Sequence, residues 1–181
     1  FDKDKKRISH ESIHPNGQVT VLAKGCNSED FVLYVKNANN WTASANAFIA
    51  FDSDKTGGHN DLPNRDLSKA GIKSLQKIKD ESKMEEYWKI ELYQPCGQEF
   101  AEGTYVRLHQ AGSAFLFTSA YYAKISQNWM ECSGTVYGFS RYWIADHFWW
   151  PGTKYVQVAI MANWDAPEKA KDQVLEVDWI K

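Results

Sequence analysis

Two stretches of the chain have residue types and spacing suited to metal chemistry. Asp52-Ser53-Asp54-Lys55-Thr56-Gly57-Gly58-His59-Asn60-Asp61 places Asp52, Asp54 and Thr56 at the first, third and fifth positions of a calcium loop. Gly57 takes the turn position and Asn60 the ninth. Calcium needs several hard oxygens at once, and alternate residues of a tight loop supply them. The twelfth position, where a bidentate Glu belongs, is Pro63, so Asp61 or Asp66 has to substitute. The same Asp, Asn and Gly also suit a polar turn that binds nothing. Calcium is the candidate cofactor, with Asp52, Asp54, Thr56, Asn60 and Asp61 as its ligands. The second stretch, His10-Glu11-Ser12-Ile13-His14, matches the HExxH pattern of zinc proteases. Pro15-Asn16-Gly17 follows at once as a turn signal, and neither a third ligand nor a cleft is indicated. A motif outside its structural context is read as coincidence.

Aromatic side chains form the other chemical resource. They make up 14% of the chain, with eight Trp. Tyr142, Trp143, Phe148, Trp149, Trp150, Tyr155 and Trp164 cluster toward the C-terminus. Trp149-Trp150-Pro151-Gly152 reads as a loop tip, because Pro and Gly follow the indoles directly. Two adjacent tryptophans cannot both point into a core from one strand. At least one is exposed or covers an end of the domain. Exposed rings mark binding surfaces, stack on sugars or settle among lipid headgroups. A plug for one end of the domain is the competing use of the same rings.

Composition narrows the classes. Lys and Arg number 21 against 23 Asp and Glu, a net charge of −2. That balance argues against a nucleic-acid binder, which carries a basic excess. No run of eighteen apolar residues exists to span a bilayer. The opening FDKDKKR is read as the processed end of an exported, secreted protein. Cys26, Cys96 and Cys132 fit no zinc spacing. Either one pair forms a disulfide, with Cys96–Cys132 preferred, or all three are buried thiols. Asn40-Trp41-Thr42 is a glycosylation sequon. For catalysis the chain offers no GxSxG, phosphate loop or dinucleotide fingerprint. Asp146-His147 and His109 lack an identifiable nucleophile. The reading leans away from an enzyme. The alternative is a jelly-roll enzyme acting on polysaccharide, with a carboxylate pair meeting across a Trp-lined groove.

The elements that position these residues alternate apolar and polar side chains. Strands are expected at Gln18–Lys24, Phe31–Asn37, Trp41–Asp52, Tyr87–Gln94, Thr104–His109, Ala114–Tyr122, Lys124–Cys132, Thr135–Ile144, Lys154–Met161 and Gln173–Lys181. Asp66–Glu86 breaks the pattern, with Leu67, Ala70, Leu75 and Ile78 at helical spacing. Asp66 or Ser68 would cap that helix, and Lys69, Lys73 and Lys77 would line its solvated face. The expected fold is mainly β: a β-sandwich of about ten antiparallel strands with one inserted helix, and a β-trefoil as second choice. Residues 1–17 form a polar, loosely held arm, and 18–181 one domain.

Two stretches add a resemblance. Val35-Lys36-Asn37-Ala38-Asn39-Asn40-Trp41-Thr42-Ala43, running on to Phe48, resembles a strand-turn-strand near the start of the actinoporin-type cytolysins. Ala114 to Tyr122, followed by Ser126-Gln127-Asn128-Trp129, is similar to that family's strand and aromatic loop for a phosphocholine headgroup. The resemblance implies a β-sandwich that binds membrane lipid, with Ser119, Tyr121, Tyr122 and Trp129 lining the pocket and Tyr142 and Trp143 near it. It also implies a toxin able to oligomerise on its target surface. Residues 1–17, charged and broken by Pro15 and Gly17, show no pore-forming helix. Related sandwiches act as lectins, so glycan is the other partner implied. The expected function is cell-surface recognition of lipid headgroups or glycans through exposed Tyr and Trp, Trp149 and Trp150 included.

Overall fold

The computed structural model describes residues 1–80, 85–112, 127–138, 148–158 and 176–177. In order they form α1 (His10–Ile13), β1 (Thr20–Val21), β2 (Val32–Val35), β3 (Ala47–Phe51), β4 (Ile72–Asp80), β5 (Glu85–Leu92) and β6 (Tyr105–Gln110). The described fold is mainly β. Two three-stranded antiparallel sheets have the orders β1-β6-β3 and β2-β5-β4. Lys36 N–H donates to Val21 O and Ala23 N–H to Tyr34 O, so the chain around β1 also ties the two sheets together.

Alternation puts one face of each sheet into a shared core. Leu33 and Val35 of β2 oppose Ile90 and Trp88 of β5. Ile49 and Phe51 of β3 oppose Leu108 and Val106 of β6. These residues join one cluster with Leu22, Ile72, Leu92, Cys26 and Cys96, and Trp88 packs against its margin. Each fully buried aliphatic or Phe side chain here contributes about 1.5–3 kcal/mol. Trp41 is buried in the same cluster and donates its indole N–H to Gln18 O at 3.3 Å.

The largest departure from expectation is at 66–86, where a strand stands in place of the helix. Ile72 and Leu75 are three residues apart, a helical interval. In β4 a register shift between Ile72 and Ser74 accommodates the extra residue. Ile72 then opposes Leu92 and Leu75 opposes Ile90, both inward-facing partners. A β-bulge thus converts three-residue spacing into one face of a sheet. Ile78 falls on the opposite face, beside Tyr87. Ser68 caps no helix: its hydroxyl accepts from Ile49 N–H and donates to Ala70 O. The lysine row also dissolves, with Lys73 pairing to Glu91 and Lys77 to Glu86, each at 2.7 Å.

Within the first seventeen residues, the stretch from Ile8 to Asn16 packs on the sheet and the loop at Asn64. Asn16 N–H donates to Leu108 O, Gln110 N–H to His14 O and Asn64 N–H to Ser12 O. Ile8 and Ile13 are buried. Of the later strands expected, 127–138 and 154–158 are not in strands, while 114–122 and 139–144 lie outside the described residues.

The bulge has a measurable consequence. Leu75→Ala is expected to cost about 2 kcal/mol in urea unfolding. Deleting Lys73 removes the extra residue and leaves Ile72 opposite Leu92 and Leu75 opposite Ile90 in strict alternation, so the urea midpoint should stay close to that of wild type. A deletion variant destabilised as much as Leu75→Ala would refute the bulge.

Candidate functional site

The site grows from β6. Its outer positions would be expected to face water, yet Arg107 and His109 are both fully buried. Arg107 Nη2 donates to Asp61 Oδ2 at 2.8 Å. Arg107 Nε lies 3.1 Å, and Nη2 2.9 Å, from His109 Nε2. A guanidinium has only donors, so Nε2 is the acceptor and the imidazole carries its proton on Nδ1. Nδ1–H then donates to Glu11 O in α1. Burial pushes the Asp61 carboxyl up, but hydrogen bonding from Asn64 and the Arg107 charge hold it below its ordinary value. Burial works against the charge of Arg107, and Asp61 opposes that. Burial, followed by the Arg107 charge, lowers His109 from 6.5 to about 3. His14, next to His10 at a ring separation of 4.5 Å, is lowered to about 4 by burial and then by that neighbour.

This network carries the aromatic loop. Trp150 packs on Ile8 and Ile13, and its ring lies 6.0 Å from that of His10. Gly152, at φ +77°, sits where a Cβ would come within 2.7 Å of Pro63 Cδ, so the loop lies hard against the segment that supplies Asp61. Trp150 is therefore the anchor, and Trp149 is half-buried beside it. Trp149 N–H donates to Gly138 O, and the Tyr137 and Phe148 rings meet edge to face at 4.8 Å. Tyr137 is 57% exposed at this join, and Trp129, elsewhere in the segment 127–138, is 72% exposed. The ammonium of Phe1 donates to Tyr155 O at 2.8 Å, holding the strip 154–155 to the N-terminus.

The calcium loop closes on itself. Asp54 Oδ1 accepts from Thr56 N–H and hydroxyl, and Oδ2 from the Asn60 backbone and side-chain amides. These bonds, that of the Asn60 backbone foremost, hold the Asp54 carboxyl well below the carboxylate range. Asp52 turns at φ +48° and is exposed, and Asp61 points to Arg107. Asp54, Thr56 and Asn60 come together, while the Asp61 carboxylate accepts from Asn64 and Arg107. Among the described residues no group of three His, Cys, Asp or Glu is placed to hold a metal. The HExxH stretch is a single helical turn whose Glu11 carbonyl serves His109. Ser119, Tyr121, Tyr122, Tyr142 and Trp143 lie outside the described residues.

A second aromatic site had no sequence signal beyond alternation. Lys24, Gly25, Glu29, Asp30, Phe31, Val32 and Tyr34 line a surface groove. The Lys24 ammonium lies 4.3 Å from the Tyr34 ring and 5.2 Å from that of Tyr87, with the two rings edge to face. Phe31 is exposed at the groove's edge. Glu29 and Asp30 come from one turn, so they form no facing carboxylate pair.

No family model, curated protein or solved structure matches this chain. Its chemistry therefore has to be argued from its own side chains.

Two outcomes follow from the buried charge. Asp61→Ala strands a buried guanidinium and is expected to cost about 3–5 kcal/mol in denaturant unfolding. For the histidines the sign is set by folded values below the ordinary 6.5. Their contribution is complete above pH 6.5 and is lost as the pH falls toward 3, because the unfolded chain takes up protons first. His109→Gln keeps an acceptor for Arg107 and a donor for Glu11 O but cannot titrate. It should flatten the stability profile between pH 7 and 4, and an unchanged slope would count against this reading.

Proposed function

We propose that this chain is an exported recognition protein that engages cell surfaces, with a glycan or a lipid headgroup seated on outward-facing Tyr and Trp rings. The observation that carries the proposal is the exposure of Trp129 and Tyr137, the latter in ring contact with Phe148 next to the Trp149-Trp150 loop. Exposed aromatic rings gathered in a patch mark a binding surface. An indole face stacks on the C–H face of a sugar, and a phenol ring adds a hydrogen-bonding tip. In this reading the two sheets are the layers of a β-sandwich.

Lipid headgroups are the second ligand class, favoured by the Lys24 ammonium over Tyr34 and Tyr87. That corner already accepts one ammonium by cation–π attraction. The resemblance to actinoporin-type cytolysins points the same way. Among the described residues no helix is long and apolar enough to cross a membrane, so the proposal concerns binding at a surface.

Glycan-array retention and co-sedimentation with phosphocholine vesicles separate the two classes. The native chain is expected to be held by one of them. Trp129→Ala with Tyr137→Ala should weaken that binding at least about tenfold. The same pair should leave folding stability within about 0.5 kcal/mol of wild type, as exposed positions do. Absence of retention in both assays would end the proposal.

A further inference from the structure

Three features bring two cysteines together at the edge of the core. Segments 26–30 and 96–100 run antiparallel: Cys26 N–H donates to Phe100 O and Phe100 N–H to Cys26 O, while Gly97 N–H reaches Ser28 O and Cys96 N–H reaches Asp30 O. Both side chains are buried in the main apolar cluster, Cys26 at 4% exposure and Cys96 at 0%. Cys26 Sγ donates to Gln98 O at 3.9 Å, two residues from Cys96. Cys132, the expected partner of Cys96, is exposed.

We propose that Cys26 and Cys96 are the site of an intramolecular disulfide, formed when the chain folds in an oxidising compartment and closing the loop that contains β2 to β5. The turn in which Asp30 N–H donates to Asn27 O folds the chain back so that Asp30, which accepts from Cys96 N–H, lies near Cys26, and Cys26 Sγ reaches the Gln98 carbonyl two residues from Cys96. Either thiol can attack first. With Cys26 leading, its thiolate attacks one sulfur of a low-molecular-weight disulfide, forming a mixed disulfide and expelling one small thiolate. Cys96 loses its proton, attacks the Cys26 sulfur and expels the second small thiolate. Two protein thiols are oxidised, and one small disulfide is reduced to two thiols. The sulfurs are closed to solvent in the folded chain, so exchange belongs to folding or local opening. The finished bond is then shielded from reduction.

The inference is independent of the recognition surface, and its test uses no ligand. The full chain is refolded with oxidised and reduced glutathione, alkylated without reduction, digested and mapped by mass spectrometry. The expected product joins the Cys26 and Cys96 peptides, lighter by two hydrogens than the separate thiols, with Cys132 alkylated. The oxidised Cys132→Ser chain should melt about 5–15 °C above its own reduced form, through loss of unfolded-chain entropy across a long loop. Free alkylated Cys26 and Cys96 after oxidation, or a link from either to Cys132, would overturn the assignment.

Discussion

A guanidinium sealed from water in the middle of a strand organises one end of this molecule. Arg107 is fully buried and cannot shed its proton. It needs an anion and acceptors, and each comes from a different part of the chain. Asp61 brings the loop that follows β3, and His109 passes the contact on to the Glu11 carbonyl of α1. The N-terminal segment and the loop are thereby fixed relative to β6. Ile8, Ile13 and Pro63 then present the platform on which Trp150 and Gly152 rest. A buried ion pair adds little net stability compared with apolar packing. Its value here is positional, since three segments remote in sequence share one charge.

Much of the fold was legible because alternation is a direct image of the pleat. The core of β2, β5 and β6 followed from that pattern alone, and β3 occupied the end of a longer expected run. The failure at 66–86 has a physical cause. Ile72, Leu75 and Ile78 recur at a helical interval, and nothing in the residue types announces a bulge at Lys73. A bulge is set by the partner strand, whose Leu92 and Ile90 lie far along the chain. The site was less legible for the same reason. Arg107 and His109 sit in an alternating strand as ordinary polar residues, and their burial depends on Asp61 and Glu11 arriving from elsewhere. Asp61 stands out in the sequence as a calcium-ligand candidate, and its carboxylate also accepts from Arg107.

Adjacent indoles at Trp149-Trp150 show what sequence can decide. Neighbouring side chains diverge, so burying one leaves the other nearer solvent. Which is anchored depends on whether an apolar platform exists, and that platform comes from Ile8 and Ile13. Once Trp150 is seated, the Trp149 amide joins Gly138 and the ring of Phe148 meets Tyr137. The exposed Tyr137 ring is thus attached to the Trp150 anchor through a short series of contacts, without belonging to the core itself.

That arrangement bears on how binding would respond to conditions. Rings mounted on a mobile loop lose entropy when a ligand orders them, which weakens affinity. Rings tied through Trp150 to α1 are already positioned, so less freedom remains to be lost. The support is itself acid-sensitive, because protonating His109 would set two cations side by side in a dry interior. It would also remove the acceptor that Arg107 uses. Acid should therefore loosen the aromatic surface before it dissolves the main core, whose cluster of aliphatic and aromatic residues holds no comparable titrating group apart from its two thiols. The recognition surface and the sheet core would then form two units of unequal stability, joined at β6.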